Sequence, residues 1–164
     1  MEYYPKIYIK CGYKDGKKGN NQQFLSSNSF DLKYFEIEPK LSWQPGASFR
    51  WSINFRYSEK NNRSEIKETA YVRNLGTEIK YNMVSKGSFN VQFNYLNIAF
   101  NGNKNSSLGY EMLEALQPGL NFTWALGWQT NIGKNMQLNL TYNGRKSEEA
   151  KAIHTGNMMV RAYF

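Results

Sequence analysis

Apolar side chains recur along the chain at every second position, the period of a β-strand with one apolar and one polar face. The pattern is clearest over 121–132, where Phe122, Trp124, Leu126 and Trp128 alternate with Asn121, Thr123, Ala125, Gly127 and Gln129. It repeats in Met136, Leu138, Leu140 and Tyr142 against Gln137, Asn139, Thr141 and Asn143. Over 157–164, Met158, Val160, Ala162 and Phe164 again share one phase. Upstream, Ile7, Ile9, Cys11 and Tyr13 alternate with Lys6, Tyr8 and Lys10, and Phe35, Ile37, Leu41 and Trp43 alternate with Glu36, Glu38, Lys40 and Ser42. Phe49, Trp51, Ile53, Phe55 and Tyr57 alternate with Arg50, Ser52, Asn54, Arg56 and Ser58. Two more runs, 65–83 and 88–100, change phase: Ala70 and Val72 give way to Ile79 and Tyr81, and Phe89, Val91, Phe93 and Tyr95 to Leu96, Ile98 and Phe100. Such a change predicts a β-bulge, or a strand that continues past the layer burying it. The chain is therefore all-β, with about eight strands.

The connections give the topology. Those at 44–46, 85–87 and 133–135 are short and suit tight hairpin turns, whereas 14–29, 58–64, 101–119 and 144–150 are long. Strict alternation of long and short links describes an up-and-down antiparallel meander with every long loop at one end. Within 101–119, residues 110–116 precede Pro118-Gly119 and are expected to form one or two helical turns. Closure into a barrel removes the two open edges of such a sheet. The expected unit is a single β-barrel domain over residues 1–164, either complete or forming the last strands of a longer barrel.

Alternation alone does not say which face is inside, and composition now matters. The 164 residues include 12 Tyr, 10 Phe and 4 Trp, which suits a folded chain. One Cys and one His exclude a disulfide framework and a conventional zinc site, so no metal or cofactor is expected. No run approaches the ~20 apolar residues of a spanning helix, and the N-terminus lacks a signal-peptide pattern. Three features point the apolar face outward, into lipid. The aromatics cluster toward strand ends, as interfacial girdles do (Trp43, Trp51, Tyr57, Trp128, Tyr142). The opposite faces are crowded with amides, hydroxyls and charges of both signs, namely Glu36, Glu38, Arg50, Arg56 and Arg161, suited to pairing inside a narrow lumen. The last run ends on Phe164 in the apolar phase, with Gly156 eight residues earlier. The lipid-facing set is then Phe122, Trp124, Leu126, Trp128, Leu138, Leu140 and Val160.

The segment Tyr110-Glu111-Met112-Leu113-Glu114-Ala115-Leu116-Gln117-Pro118-Gly119-Leu120-Asn121-Phe122-Thr123-Trp124, with Leu138-Asn139-Leu140-Thr141-Tyr142-Asn143-Gly144-Arg145-Lys146-Ser147 and Ile153-His154-Thr155-Gly156, resembles the C-terminal end of uncharacterised outer-membrane β-barrel proteins of Bacteroidota. The likeness is strongest over 110–164 and weaker over 34–62. It implies a bacterial outer-membrane location and no particular activity. Gly156, Met158, Val160, Ala162 and Phe164 resemble the C-terminal signal by which such barrels engage their insertion machinery. The partners implied are outer-membrane lipid, lipopolysaccharide, that machinery and other envelope proteins. Lys14, Lys17 and Lys18, in the first long loop, are candidates for lipopolysaccharide phosphates.

The net charge of +8 raises nucleic-acid binding as a question. By position, the strand faces opposite the aromatics hold nine bases (Lys6, Lys10, Lys40, Arg50, Arg56, Lys67, Arg73, Lys80, Arg161) and four acids (Glu36, Glu38, Glu65, Glu78), an excess of five; nucleic-acid binding is not expected. Enzyme readings are weak. His154 with Ser147 or Thr155 and Glu148 or Glu149 sketches a rim hydrolase, and Glu36 with Glu38 a glycosidase pair, but no nucleophile motif accompanies either. The expectation is a non-enzymatic outer-membrane barrel, a channel only if wider than eight strands. Its alternative is a soluble secreted or periplasmic barrel that encloses a small apolar ligand, consistent with a mean hydropathy of −0.70.

Overall fold

The computed structural model describes residues 5–18, 30–63, 67–148 and 150–163, with backbone alone at 9, 11, 13–18, 30 and 31. Eight strands follow in chain order: β1 (Lys6–Lys18), β2 (Phe30–Trp43), β3 (Phe49–Asn62), β4 (Thr69–Met83), β5 (Gly87–Phe100), β6 (Gly119–Ile132), β7 (Met136–Ser147) and β8 (Ile153–Ala162). They form one antiparallel up-and-down sheet in sequence order. Among the described residues, β1 and β8 pair only with β2 and β7, so the two stand at the edges of the sheet. Among the described residues no helix is long and apolar enough to cross a membrane.

Register follows the alternation. Phe89, Val91, Phe93 and Tyr95 oppose Trp128, Leu126, Trp124 and Phe122, and Leu126 and Trp128 oppose Tyr142 and Leu140. A one-residue slip anywhere would mix aromatic with amide side chains, so the period-two pattern specifies the pairing. The short turns conform as well: Gly133 takes the left-handed φ of 71° at the β6–β7 turn.

Several expectations change. The phase changes in β4 and β5 are not bulges, because pairing runs one to one from Phe49↔Tyr81 to Asn61↔Thr69 and from Ala70↔Phe100 to Met83↔Gly87. Instead the polar face itself turns apolar near the long-loop end. There Val72, Leu96, Ile98 and Leu113 form a buried cluster with Phe100 and Leu116 against it. Arg73 consequently lies on the aromatic face, opposite Tyr57, and not on the polar one. Lys67 is exposed ahead of β4, and Glu65 lies outside the described residues. Lys14, Lys17 and Lys18 are not in a loop: their backbone extends β1, opposite Tyr34, Asp31 and Phe30. The link between β3 and β4 is shortened by the run of β3 to Asn62.

The helix starts earlier than residue 110. It is α1 (Ser107–Met112), begun by Ser106, whose hydroxyl accepts from Gly109 N at 2.8 Å. Past it, Glu114 and Ala115 have φ of 56° and 61°, two successive left-handed residues with side chains, which ends the helix before Leu116.

Candidate functional site

The sheltered face of the sheet is the polar one. Ser52, Ser58, Lys60 and Asn74 are buried on it, while Trp51, Phe55, Leu75 and Tyr81 on the other face are 39%, 45%, 50% and 45% exposed. The sheet curls around this face. A cavity of about 430 Å³ is lined from β1 (Lys10) through Glu36, Arg56 and Asn74 to β5 (Gln92, Asn94). In a flat sheet β1 and β5 would stand roughly 19 Å apart, four strand spacings, too far to share it.

Register brings the charges of this face together. Lys10 lies 3.1 Å from Glu36 and 3.7 Å from Glu38, and Arg56 lies 3.7 Å from Glu36. Tyr34 Oη donates to Glu36, and Asn54 Nδ2 donates to Glu38 at 3.0 Å. Lower on the sheet, Glu78 sits between Lys80 at 2.8 Å and Lys40 at 3.8 Å. Of the five interior charges expected, Glu36, Glu38 and Arg56 thus meet in one network. Arg50 is exposed on the same face, and Arg161 lies exposed on β8 opposite Gln137; among the described residues neither has an ion pair.

The acid that completes the network comes from the loop. Glu114 accepts from Arg56 through both oxygens, at 3.0 and 2.5 Å, and from Lys60 Nζ at 3.0 Å. Lys60, with a side chain 10% exposed, also donates to Met112 O at 3.2 Å. Across the sheet, Arg145 donates to Ala115 O at 3.2 Å, so the loop spans from β3 to β7 over the polar face. Burial would raise the Glu114 pKa, but the Arg56 hydrogen bond and the Lys60 and Arg56 charges outweigh it and hold the carboxyl below its ordinary 4.5. A depressed carboxyl stabilises the fold fully above 4.5 and loses that contribution as pH falls through the folded-state value. The urea midpoint of the wild type is therefore expected to exceed that of Glu114→Gln at neutral pH, and the gap to close as acidification protonates the carboxyl, at a pH below its ordinary 4.5.

Asn121, fully buried, ties the loop to β6 and β7. Its Nδ2 donates to Gln117 O at 2.7 Å and to Gly119 O at 3.1 Å, and its Oδ1 accepts from Ser147 Oγ at 2.6 Å. Asn121→Ala removes the fully buried amide that bonds the Gln117 and Gly119 carbonyls and the Ser147 hydroxyl, and is expected to cost about 1–3 kcal/mol, measured by urea unfolding. Sequence reasoning counted Asn121 only as a polar strand position. Its one local sign is its place three residues after Pro118.

The aromatic face carries the set expected to face lipid. Leu126, Trp128 and Val160 are 37%, 42% and 50% exposed, and Phe122, Trp124, Leu138 and Leu140 are half-buried among neighbours of the same face. The Trp124 indole lies over Gly144, where any Cβ would collide with it. His154 joins this face, stacked on Tyr142 with Nδ1 at 2.7 Å from Tyr142 Oη and its ring 5.6 Å from Trp124. Ser147 bonds Asn121 on the opposite face, so the structure does not bring Ser147 and His154 together. Gly156, Met158, Val160 and Ala162 share the aromatic face of β8, opposite Tyr142, Leu140, Leu138 and Met136; Phe164 lies outside the described residues. The described residues hold no cluster of three or more His, Cys, Asp or Glu suited to a metal. Comparison of the chain with protein-family models, curated proteins and solved structures finds no match.

Proposed function

We propose that this chain is a transmembrane β-barrel of the bacterial outer membrane, complete at eight strands or forming the last strands of a wider one. Its role is structural, adhesive or in envelope assembly, without chemistry of its own. The observation that carries the reading is the inversion of the two faces. Ion pairs and amides occupy the sheltered side, while Trp43, Trp51, Phe55, Phe93, Trp128 and Tyr142 stand 37–45% exposed on the other. Exposed apolar surface of that extent in water invites association, whereas in a bilayer it is the solvated state. A soluble barrel around an apolar ligand requires the opposite arrangement, aromatics sheltered and charges outside.

In the eight-strand form closure pairs β1 with β8, the two strands left with unpaired backbone groups, which lipid does not tolerate. At eight strands the interior is too narrow for a diffusion channel, and channel activity belongs only to a wider barrel. Lys14, Lys17 and Lys18, at the long-loop end of β1, are the groups proposed to meet lipopolysaccharide phosphates. The β8 face from Gly156 to Ala162, with Phe164, is the proposed insertion signal. Fractionation tests the location: the protein is expected in the membrane pellet after an alkaline wash and in solution only with detergent. A chain that stays monomeric in plain buffer overturns the proposal.

A further inference from the structure

Around Gly76 the polar face combines open space with an unmet acceptor; Ser58 Oγ and Asn90 Oδ1 on the same face also lack a partner but do not line this cavity. This glycine pairs with Asn54 on β3 and Asn94 on β5. Because it has no side chain, both neighbours lean over it. A Cβ there would overlap Asn54 Oδ1 and lie 2.8 Å from Asn94 Oδ1. The Asn54 orientation is set by its amide nitrogen, which donates to the Glu38 carboxylate at 3.0 Å, and Asn94 Nδ2 donates to Thr123 Oγ1 at 3.1 Å. Both oxygens are thus turned toward the same opening. One step along β4, Asn74 is 9% exposed, lines the same cavity, and its Oδ1 has no partner. A buried acceptor left empty is uncommon in a folded protein and calls for a donor from outside the chain.

The opening continues along the sheet. The cavity of about 430 Å³ shares Gln92 and Asn94 with a second, of about 390 Å³, lined further by Thr123, Asn143, Arg145 and Thr155. Each lies within the roughly 300–1,000 Å³ usual for ligand sites. Together they make a trough across the strands, walled mainly by amides and hydroxyls, with the Arg145 guanidinium and the apolar Trp124, Ala125 and Ile153 at its β6–β8 end. The charges at its β1–β3 end are Lys10 and Arg56 against Glu36 and Glu38, two of each sign and mutually paired. That end has no net charge to select an ion, and the acceptors over Gly76 ask for neutral donors.

We propose that this trough binds a neutral polyhydroxylated ligand, a stretch of oligosaccharide, whose hydroxyls donate to Asn54, Asn74 and Asn94. The site belongs to the curled polar face and stands whether or not the opposite face meets lipid.

Calorimetric titration of the full chain, folded in a detergent without a sugar headgroup, tests it. The probes are maltohexaose, cellohexaose and xylohexaose, with hexagalacturonate, glucosamine hexamer and calcium chloride as charged comparators. At least one neutral hexasaccharide is expected to bind with Kd of about 1 mM or tighter, and the charged probes more weakly. Two variants locate the site. Gly76→Val fills the space between Asn54 and Asn94. Asn74→Leu removes the orphaned acceptor while keeping the branching and heavy-atom count of the side chain, so it is expected to unfold at about the same urea concentration while affinity falls about tenfold or more. If Gly76→Val does not fold, Asn74→Leu alone decides. No binding of any neutral hexasaccharide at about 10 mM, equal affinity in Asn74→Leu, or preference for a charged probe overturns the proposal and leaves a water-filled trough.

Discussion

Leu126→Arg is expected to stop the chain from inserting into lipid vesicles, at a cost of about 2–4 kcal/mol for a cation near the bilayer midplane. Leu126 sits at the centre of β6 between Val91 and Tyr142 on the aromatic face. The substitution removes one partly exposed side chain and breaks no hydrogen bond, so in water it would cost well under that amount. Its size therefore reports the medium. Thr141→Arg is the matched control, placed on the polar face opposite Gly127, where the backbone leaves room. That variant is expected to insert nearly as well as wild type. Trp124→Arg also reverses the apolar face and is expected to prevent insertion, but it uncovers Gly144 as well, which makes Leu126 the cleaner probe. Refolding into vesicles, read by the gel-mobility difference between folded and heated protein, separates the outcomes. Equal refolding of the Leu126 and Thr141 variants would end the membrane reading.

The second large effect belongs to Glu114. Glu114→Gln leaves Lys60 and Arg56 without their shared carboxylate on a sheltered face, and removing one partner of a buried ion pair costs about 3–5 kcal/mol. The low end is expected, because Arg56 keeps Glu36 at 3.7 Å and Lys60 keeps the Met112 carbonyl at 3.2 Å. The same ion pairs hold Glu114 and Ala115 in their left-handed conformation, so their loss also frees the segment after α1. Leu113 and Leu116 would then leave the apolar cluster with Val72, Leu96 and Ile98. Urea unfolding gives the energy, and limited proteolysis after Arg or Lys near residues 101–118 gives the loop opening. Lys60→Met combined with Glu114→Gln removes the stranded ammonium and is expected to recover most of the loss. A double variant no more stable than Glu114→Gln would show that the ion pair is not what fastens the loop.

Which positions share a face was readable from residue order wherever one face is uniformly aromatic and the other uniformly polar. Phe122 to Trp128, Leu138 to Tyr142 and Trp51 to Tyr57 needed no other information, and Glu36, Glu38 and Arg56 followed as one charged group. Where the polar face changes character, the reading failed. Val72, Leu96 and Ile98 are apolar and face inward because the loop supplies Leu113 to cover them, a residue 15 to 41 positions away. Taking them for outward residues reversed the first half of β4 and misplaced Arg73, while Glu78 and Lys80 lie on the polar face as expected. Ser106, an N-cap residue, is the local sign of where α1 begins, whereas the apolar run from Tyr110 points three residues too late.

By itself, then, the sequence determined the strand period, the number and order of strands, and the two chemically opposed faces. These depend on backbone geometry repeating every two residues, which local order encodes. Strand-end aromatics and opposed charges already pointed the polar face inward, and the tertiary structure shows it sheltered. The tertiary structure alone decided that Glu114 reaches Arg56 across 58 residues of chain and that the amides of Asn54, Asn74 and Asn94 gather around Gly76. Those results follow from the curl of the sheet and the path of one loop, which bring distant residues into contact through chain geometry that no local pattern records.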